Sequence, residues 1–80
     1  IIRALYRDHA GQMWVGSFGG GLLRIDYDAQ GSPTLTPVFS TKEGLTSDYI
    51  FNIAQDRRKR LWIATRDGGV NIIDTNGTMS

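Results

Sequence analysis

Eighty residues with nine basic and eight acidic side chains give a net charge of +1, and no cysteine is present. That length allows one small domain at most, and the charge balance argues against a nucleic-acid-binding or membrane-surface protein. Without cysteine there is no disulfide, no thiolate metal site and no thiol nucleophile. No apolar run approaches the roughly 20 residues needed to span a bilayer. The chain has no initiating Met and opens inside a strand-like pattern, so we expect it to be a piece of a longer polypeptide. Targeting signals are then uninformative.

In chain order, the apolar run Ile1 to Arg7 predicts a first strand, a. Asp8-His9-Ala10-Gly11 is turn chemistry: an Asp can accept backbone N–H groups two residues on, and Gly can take a positive φ. Gln12 to Ser17 predicts strand b, Phe18-Gly19-Gly20 a turn, and Gly21 to Asp26 strand c. Tyr27 to Pro37 is a polar connection with several breakers. A weak strand d spans Thr36 to Ser40, where Pro37, lacking an N–H, belongs on a sheet edge. Thr41 to Asp48 is a crossover. Tyr49 to Gln55 is a second strand a, Asp56 to Lys59 its turn, Arg60 to Thr65 a second strand b, and Gly69 to Asp74 a second strand c.

The second half repeats the first at a constant shift of 48 residues. Asp8, Trp14, Gly20, Gly21, Ile25 and Asp26 recur as Asp56, Trp62, Gly68, Gly69, Ile73 and Asp74. Met13/Leu61, Val15/Ile63, Gly16/Ala64, Ser17/Thr65 and Leu22/Val70 preserve shape, and Ile2 and Leu5 meet Ile50 and Ile53. Strands recurring with a period of about 40 to 50 residues indicate propeller blades. The fold class is therefore all-β: a β-propeller fragment of about two four-stranded antiparallel blades. Residues 1–48 would form the first blade and crossover, and 49–80 a second, incomplete blade. Strands apolar on both sides, such as Met13-Trp14-Val15, fit sheets covered on both faces. Two blades alone would leave two apolar outer faces and an open edge. Neighbouring blades should cover them, from the rest of a longer chain or from other copies in a closed homo-oligomer.

The tempting chemical groups mostly have structural readings. Trp14 and Trp62 lie mid-strand at one repeat position, as packing wedges between blades rather than sugar platforms. Asp8 and Asp56 are turn caps, and Asp26 and Asp74 read the same way. Gly19-Gly20-Gly21 lacks the following Lys-Ser/Thr and helix of a phosphate cradle, so a tight turn is expected. Arg57-Arg58-Lys59-Arg60 reads as a solvated turn. His9, the sole histidine, is expected to be exposed; no metal site and no cofactor site is indicated. No Ser–His–Asp set or paired-carboxylate cleft can be assembled, so no catalytic residue is assigned.

In an antiparallel meander, the start of strand a and the end of strand b share one rim. The crossover therefore lies beside the b–c turns, which differ between copies as Phe18-Gly19 against Arg66-Asp67. Variable turns on a fixed scaffold suit recognition. The candidate ligand-binding residues are Arg66, Asp67, Asp48, Tyr49 and Phe18.

The run Gly44-Leu45-Thr46-Ser47-Asp48, then Ile50, Ile53 and Asp56, then Leu61-Trp62-Ile63-Ala64-Thr65, Gly68-Gly69-Val70 and Ile73-Asp74, resembles the two-component-regulator propeller repeat. The first copy matches through Asp8, Gly11, Met13 to Ser17 and Gly20-Gly21-Leu22. Asp48 stands for the usual Asn, Lys59 for a turn Gly and Ala64 for Gly. The resemblance implies a non-enzymatic, periplasmic sensor region of a bacterial receptor, joined elsewhere to a histidine kinase, a hybrid kinase–regulator or a diguanylate cyclase. It also implies an oligosaccharide or other small ligand, with no nucleic acid or direct membrane contact. The alternatives are a scaffold or dimerisation propeller with no ligand of its own, and two blades of a propeller enzyme.

Overall fold

The computed structural model describes residues 1–66 and 69–79. Among the described residues, seven strands form two antiparallel sheets. The first holds β1 (Ile2–Arg7), β2 (Met13–Ser17), β3 (Leu22–Tyr27) and β4 (Pro33–Phe39) in sequential order. The second holds β5 (Ile50–Gln55), β6 (Leu61–Thr65) and β7 (Gly69–Ile73). A single 3₁₀ turn, Thr41–Glu43, lies in the crossover between the sheets.

The two sheets repeat each other down to their registers. Ile2 pairs with Ser17 and Ile50 with Thr65, and the ladder shifts by a residue after each pair, at Ala4 and Asn52. Both a–b turns are closed by the same device. Asp8 Oδ1 accepts from Ala10 and Gln12 N–H at 3.0 and 2.9 Å, and Asp56 Oδ1 from Arg58 and Arg60 N–H, both at 2.9 Å. This turn ends in a left-handed residue, Gly11 at φ 86° in the first copy and Lys59 at φ 64° in the second. The Cβ of Lys59 makes that conformation costly.

Three expectations are corrected. Strand d is longer than the weak Thr36 to Ser40 stretch and runs from Pro33 to Phe39, because the c–d turn closes early. Asp28 Oδ1 accepts from Gln30 and Ser32 N–H, both at 2.9 Å, so Asp28 caps that turn and Asp26 does not. Asp26 instead accepts from Arg24 Nε at 2.9 Å and Thr36 Oγ1 at 2.6 Å, tying β3 to β4. Arg60 is not simply solvated: it pairs with Asp56 at 2.8 Å and lies 5.8 Å over the Trp62 ring. Pro37 does lie on the edge strand, beside a register shift in β3.

The core sits between the sheets. Leu22, Leu45, Ile50, Ile53, Leu61, Ile63 and Ile73 are buried there, with Ala4, Tyr6, Trp14 and Phe39 packed against them. The approach is closest at Gly16, where a Cβ would stand 2.5 Å from Ile50 Cγ2. Trp14 thus wedges between the sheets. Trp62 holds the same place on the open side of the second sheet and is 39% exposed. Each indole N–H also donates to the turn Asp, Trp14 to Asp8 at 2.9 Å and Trp62 to Asp56 at 2.8 Å.

Candidate functional site

The crossover is anchored on both sheets. Leu45 is buried, and the Thr46 N–H and hydroxyl both donate to Asn71 Oδ1, at 3.1 and 3.0 Å. Ser47 Oγ accepts the Tyr49 N–H at 3.1 Å. The Asp48 carbonyl accepts the Gly19 and Gly21 N–H groups of the first b–c turn, each at 3.0 Å. Ser17 closes that turn from within, its Oγ accepting from Gly20 N–H at 3.0 Å. The glycine run is therefore a tight turn docked on the crossover.

These bonds build one rim. Phe18 and Tyr49 form an isolated antiparallel bridge. Phe18 N–H donates to the Ile1 carbonyl and Arg66 N–H to the Tyr49 carbonyl, both at 2.9 Å, an interaction that repeats at the 48-residue shift. The Phe18 ring meets Tyr49 edge-on at 5.5 Å and Phe51 at 5.3 Å. The Arg66 guanidinium lies 4.2 Å over the Tyr49 ring, and that of Arg3 lies 5.5 and 5.8 Å from the centres of Phe18 and Phe51. Tyr49 is 37% and Phe51 43% exposed.

Of the five candidate residues, Phe18, Tyr49 and Arg66 come together in this cluster. Asp48 lies beside it, but its carboxylate accepts from Thr41 N–H at 2.8 Å and Thr41 Oγ1 at 3.2 Å, bracing the crossover. Asp67 lies outside the described residues. Sequence reasoning missed Arg3 and Phe51. They share one repeat position, 48 residues apart, and differ between copies, so the criterion that selected Phe18 and Arg66 could have found them.

The opposite rim holds an open cleft of about 390 Å³, walled by Trp14, Phe39, Leu61 and Ile73 and bordered by His9 and Gln55. His9 N–H donates to Gln55 Oε1 at 2.7 Å across it. Six of its lining residues, Gln55, Lys59, Leu61, Ile73, Asp74 and Thr75, correspond at the 48-residue shift to Arg7, Gly11, Met13, Ile25, Asp26 and Tyr27, which line an open hollow in the first sheet. The cleft therefore reads as a feature of the repeat rather than a site.

The described carboxylates are committed to the scaffold. Bonds from the Trp62 indole and from Arg60 hold the Asp56 carboxyl well below the usual carboxylate range. Bonds from Arg24 and Thr36 lower that of Asp26. Among the described residues, no group of three or more His, Cys, Asp or Glu side chains could hold a metal ion, and no helix is long and apolar enough to cross a membrane.

Comparison with known families matches the two component regulator propeller over residues 1–19 and 44–67, which together make up more than half of the chain. The chain belongs to the two component regulator propeller family. The matched segments take in strands a and b of each repeat and the whole Gly44-to-Tyr49 part of the crossover, and so contain Arg3, Phe18, Tyr49, Phe51 and Arg66. No curated protein and no solved structure matched the chain.

Proposed function

We propose that this chain is a non-enzymatic ligand-sensing part of a bacterial signalling receptor, acting outside the cytoplasmic membrane, and that its ligand, a saccharide, is read by the crossover rim. The observation that carries this reading is the half-exposed aromatic cluster of Phe18, Tyr49 and Phe51, flanked by Arg3 and Arg66. Large aromatic faces left open to water offer flat apolar surface to the face of a sugar ring, while the guanidinium groups can donate to its oxygens. The rim joins a turn of the first blade to the first strand of the second. A ligand touching both would favour one arrangement of the blades, and it can shift a receptor's equilibrium only by binding one arrangement better.

Catalysis is disfavoured by how the acids are used. Asp8, Asp26, Asp28, Glu43, Asp48, Asp56 and Asp74 each accept a hydrogen bond from within the chain.

Titration of the chain against a panel of oligosaccharides tests the reading. At least one should bind, and Phe18→Ala and Tyr49→Ala should weaken it roughly tenfold each with the circular dichroism spectrum unchanged. Binding that survives both substitutions, or no binding by any saccharide, would refute it. The second reading, a scaffold without its own ligand, is favoured by one specific feature: the apolar side of the second sheet, with Trp62 and Val70 uncovered.

A further inference from the structure

Three positions of the repeat supply the whole rim cluster. They are 1/49, 3/51 and 18/66, occupied by Ile1 and Tyr49, Arg3 and Phe51, and Phe18 and Arg66. At 3/51 and 18/66 the two copies exchange aromatic for cation, and each guanidinium meets a ring. We propose that the saccharide read at this rim is acidic, its carboxylate or sulfate held by Arg3. The proposal rests on the rim being the recognition surface.

Three observations support it. First, Arg3 makes no ion pair among the described residues, whose salt bridges are Arg24–Asp26 and Arg60–Asp56. It is an exposed cation that the fold does not neutralise. Second, the guanidinium carbon of Arg3 lies 5.5 Å and 5.8 Å from the ring centres of Phe18 and Phe51. A cation–π contact consumes none of the N–H donors, and the guanidinium fork grips a carboxylate or sulfate with two parallel hydrogen bonds. The ring contacts also restrict the side chain before any ligand arrives, lowering the entropy lost on binding. Third, Asp48, in the crossover beside the rim, has both carboxylate oxygens engaged by Thr41. Those oxygens brace the crossover and are not paired with Arg3. Rings for the sugar face beside a fork for an oxyanion are the complement of a uronate or a sulfated sugar. A neutral sugar would leave the fork without an anion.

The test is calorimetric titration of the chain with three probes: tetragalacturonate, its methyl ester and a sulfated tetrasaccharide. The ester keeps the sugar rings and removes only the charge. We expect at least one acidic probe to bind, and an acid-to-ester affinity ratio of about tenfold or more where the acid is the uronate. Arg3→Gln should lose a similar factor for the acid and little for neutral sugars, with Arg3→Lys intermediate because it keeps the charge but not the fork. Affinity for the acid should also fall as salt is raised. Preference for the sulfated probe over the uronate would assign the oxyanion to sulfate. If neutral sugars, the ester included, bind as tightly as every acidic probe, or if Arg3→Gln binds the acid like the parent chain, the proposal is overturned while the rim remains a saccharide site. If no saccharide binds, the rim reading falls with it. Should Arg3→Gln fail to fold, the acid and ester comparison on the unaltered chain decides alone.

Discussion

Gly16 and Ala64 hold one repeat position, yet the structure treats them differently. Gly16 faces the second sheet, and a methyl there would run into Ile50, whereas Ala64 lines a small open hollow with Ala54, Trp62 and Val70. Gly16→Ala should therefore destabilise the chain by about 1 to 3 kcal/mol through overpacking. The check is the urea midpoint. An unchanged midpoint would mean that the sheets do not meet at this residue. The Asp–Trp pairs give a second prediction at this scale. The Asp56 carboxyl is shifted down on folding, so its stabilising contribution is complete above the ordinary Asp pKa of about 3.9 and is lost as pH falls through the lower folded value. Asp26 acts in the same direction. Acid unfolding, followed by Trp fluorescence, should begin below about pH 4. Asp56→Asn should flatten that acid limb and leave a neighbouring signal from Asp26.

Within elements, most of the architecture was legible because turn chemistry is local. The Asp-x-x-Gly turn and its repeat fixed the boundaries of strands a and b to within a residue, since the same carboxylate-to-backbone bonds recur in both copies. Strand d was misjudged for a local reason too. Asp26 copies Asp74 in sequence, but Asp28 supplies the cap, so the first sheet gains length on both sides of that turn. Lys59 carries the cost of a left-handed conformation in a place where the first copy has Gly11. Lys59→Gly should raise stability by about 0.5 to 1 kcal/mol, the relieved strain exceeding the extra freedom of glycine in the unfolded chain. A thermal melt checks it. The role of Thr46 could not be read from the sequence, because its partner Asn71 lies 25 residues away in another strand. Asn71→Ala should cost about 1 to 3 kcal/mol by leaving the Thr46 N–H without that acceptor. Hydrogen exchange at Thr46 should then rise well above that at Ile63.

At the scale of the molecule, the repeat predicted the packing and the side on which the rim lies, but not all the members of its cluster. The sheet-on-sheet interface follows from the apolar residues of the repeat, with Trp14 of the first sheet packed against the core it shares with the second. Arg3 and Phe51 differ between copies at one repeat position, a signal the sequence carries, but only the fold brings them against Phe18. The same repetition leaves unlike faces at the two ends, one bearing Leu5, the other Trp62 and Val70. Such faces favour head-to-tail contact. The isolated chain should self-associate at micromolar concentration in light scattering, and Val70→Lys should return it toward a monomer without disturbing the Trp62–Asp56 bond.

The account stands on two repeats packed face to face, with the crossover drawing Phe18, Tyr49 and Phe51 into one cluster. A nuclear Overhauser spectrum of the Val70→Lys chain tests this directly. It should show cross-peaks from the Gly16 α-protons to the Ile50 γ2 methyl, and from the Phe18 ring to the rings of Tyr49 and Phe51. A well-dispersed spectrum with cross-peaks inside each sheet but none between residues 1–40 and 49–79 would contradict it.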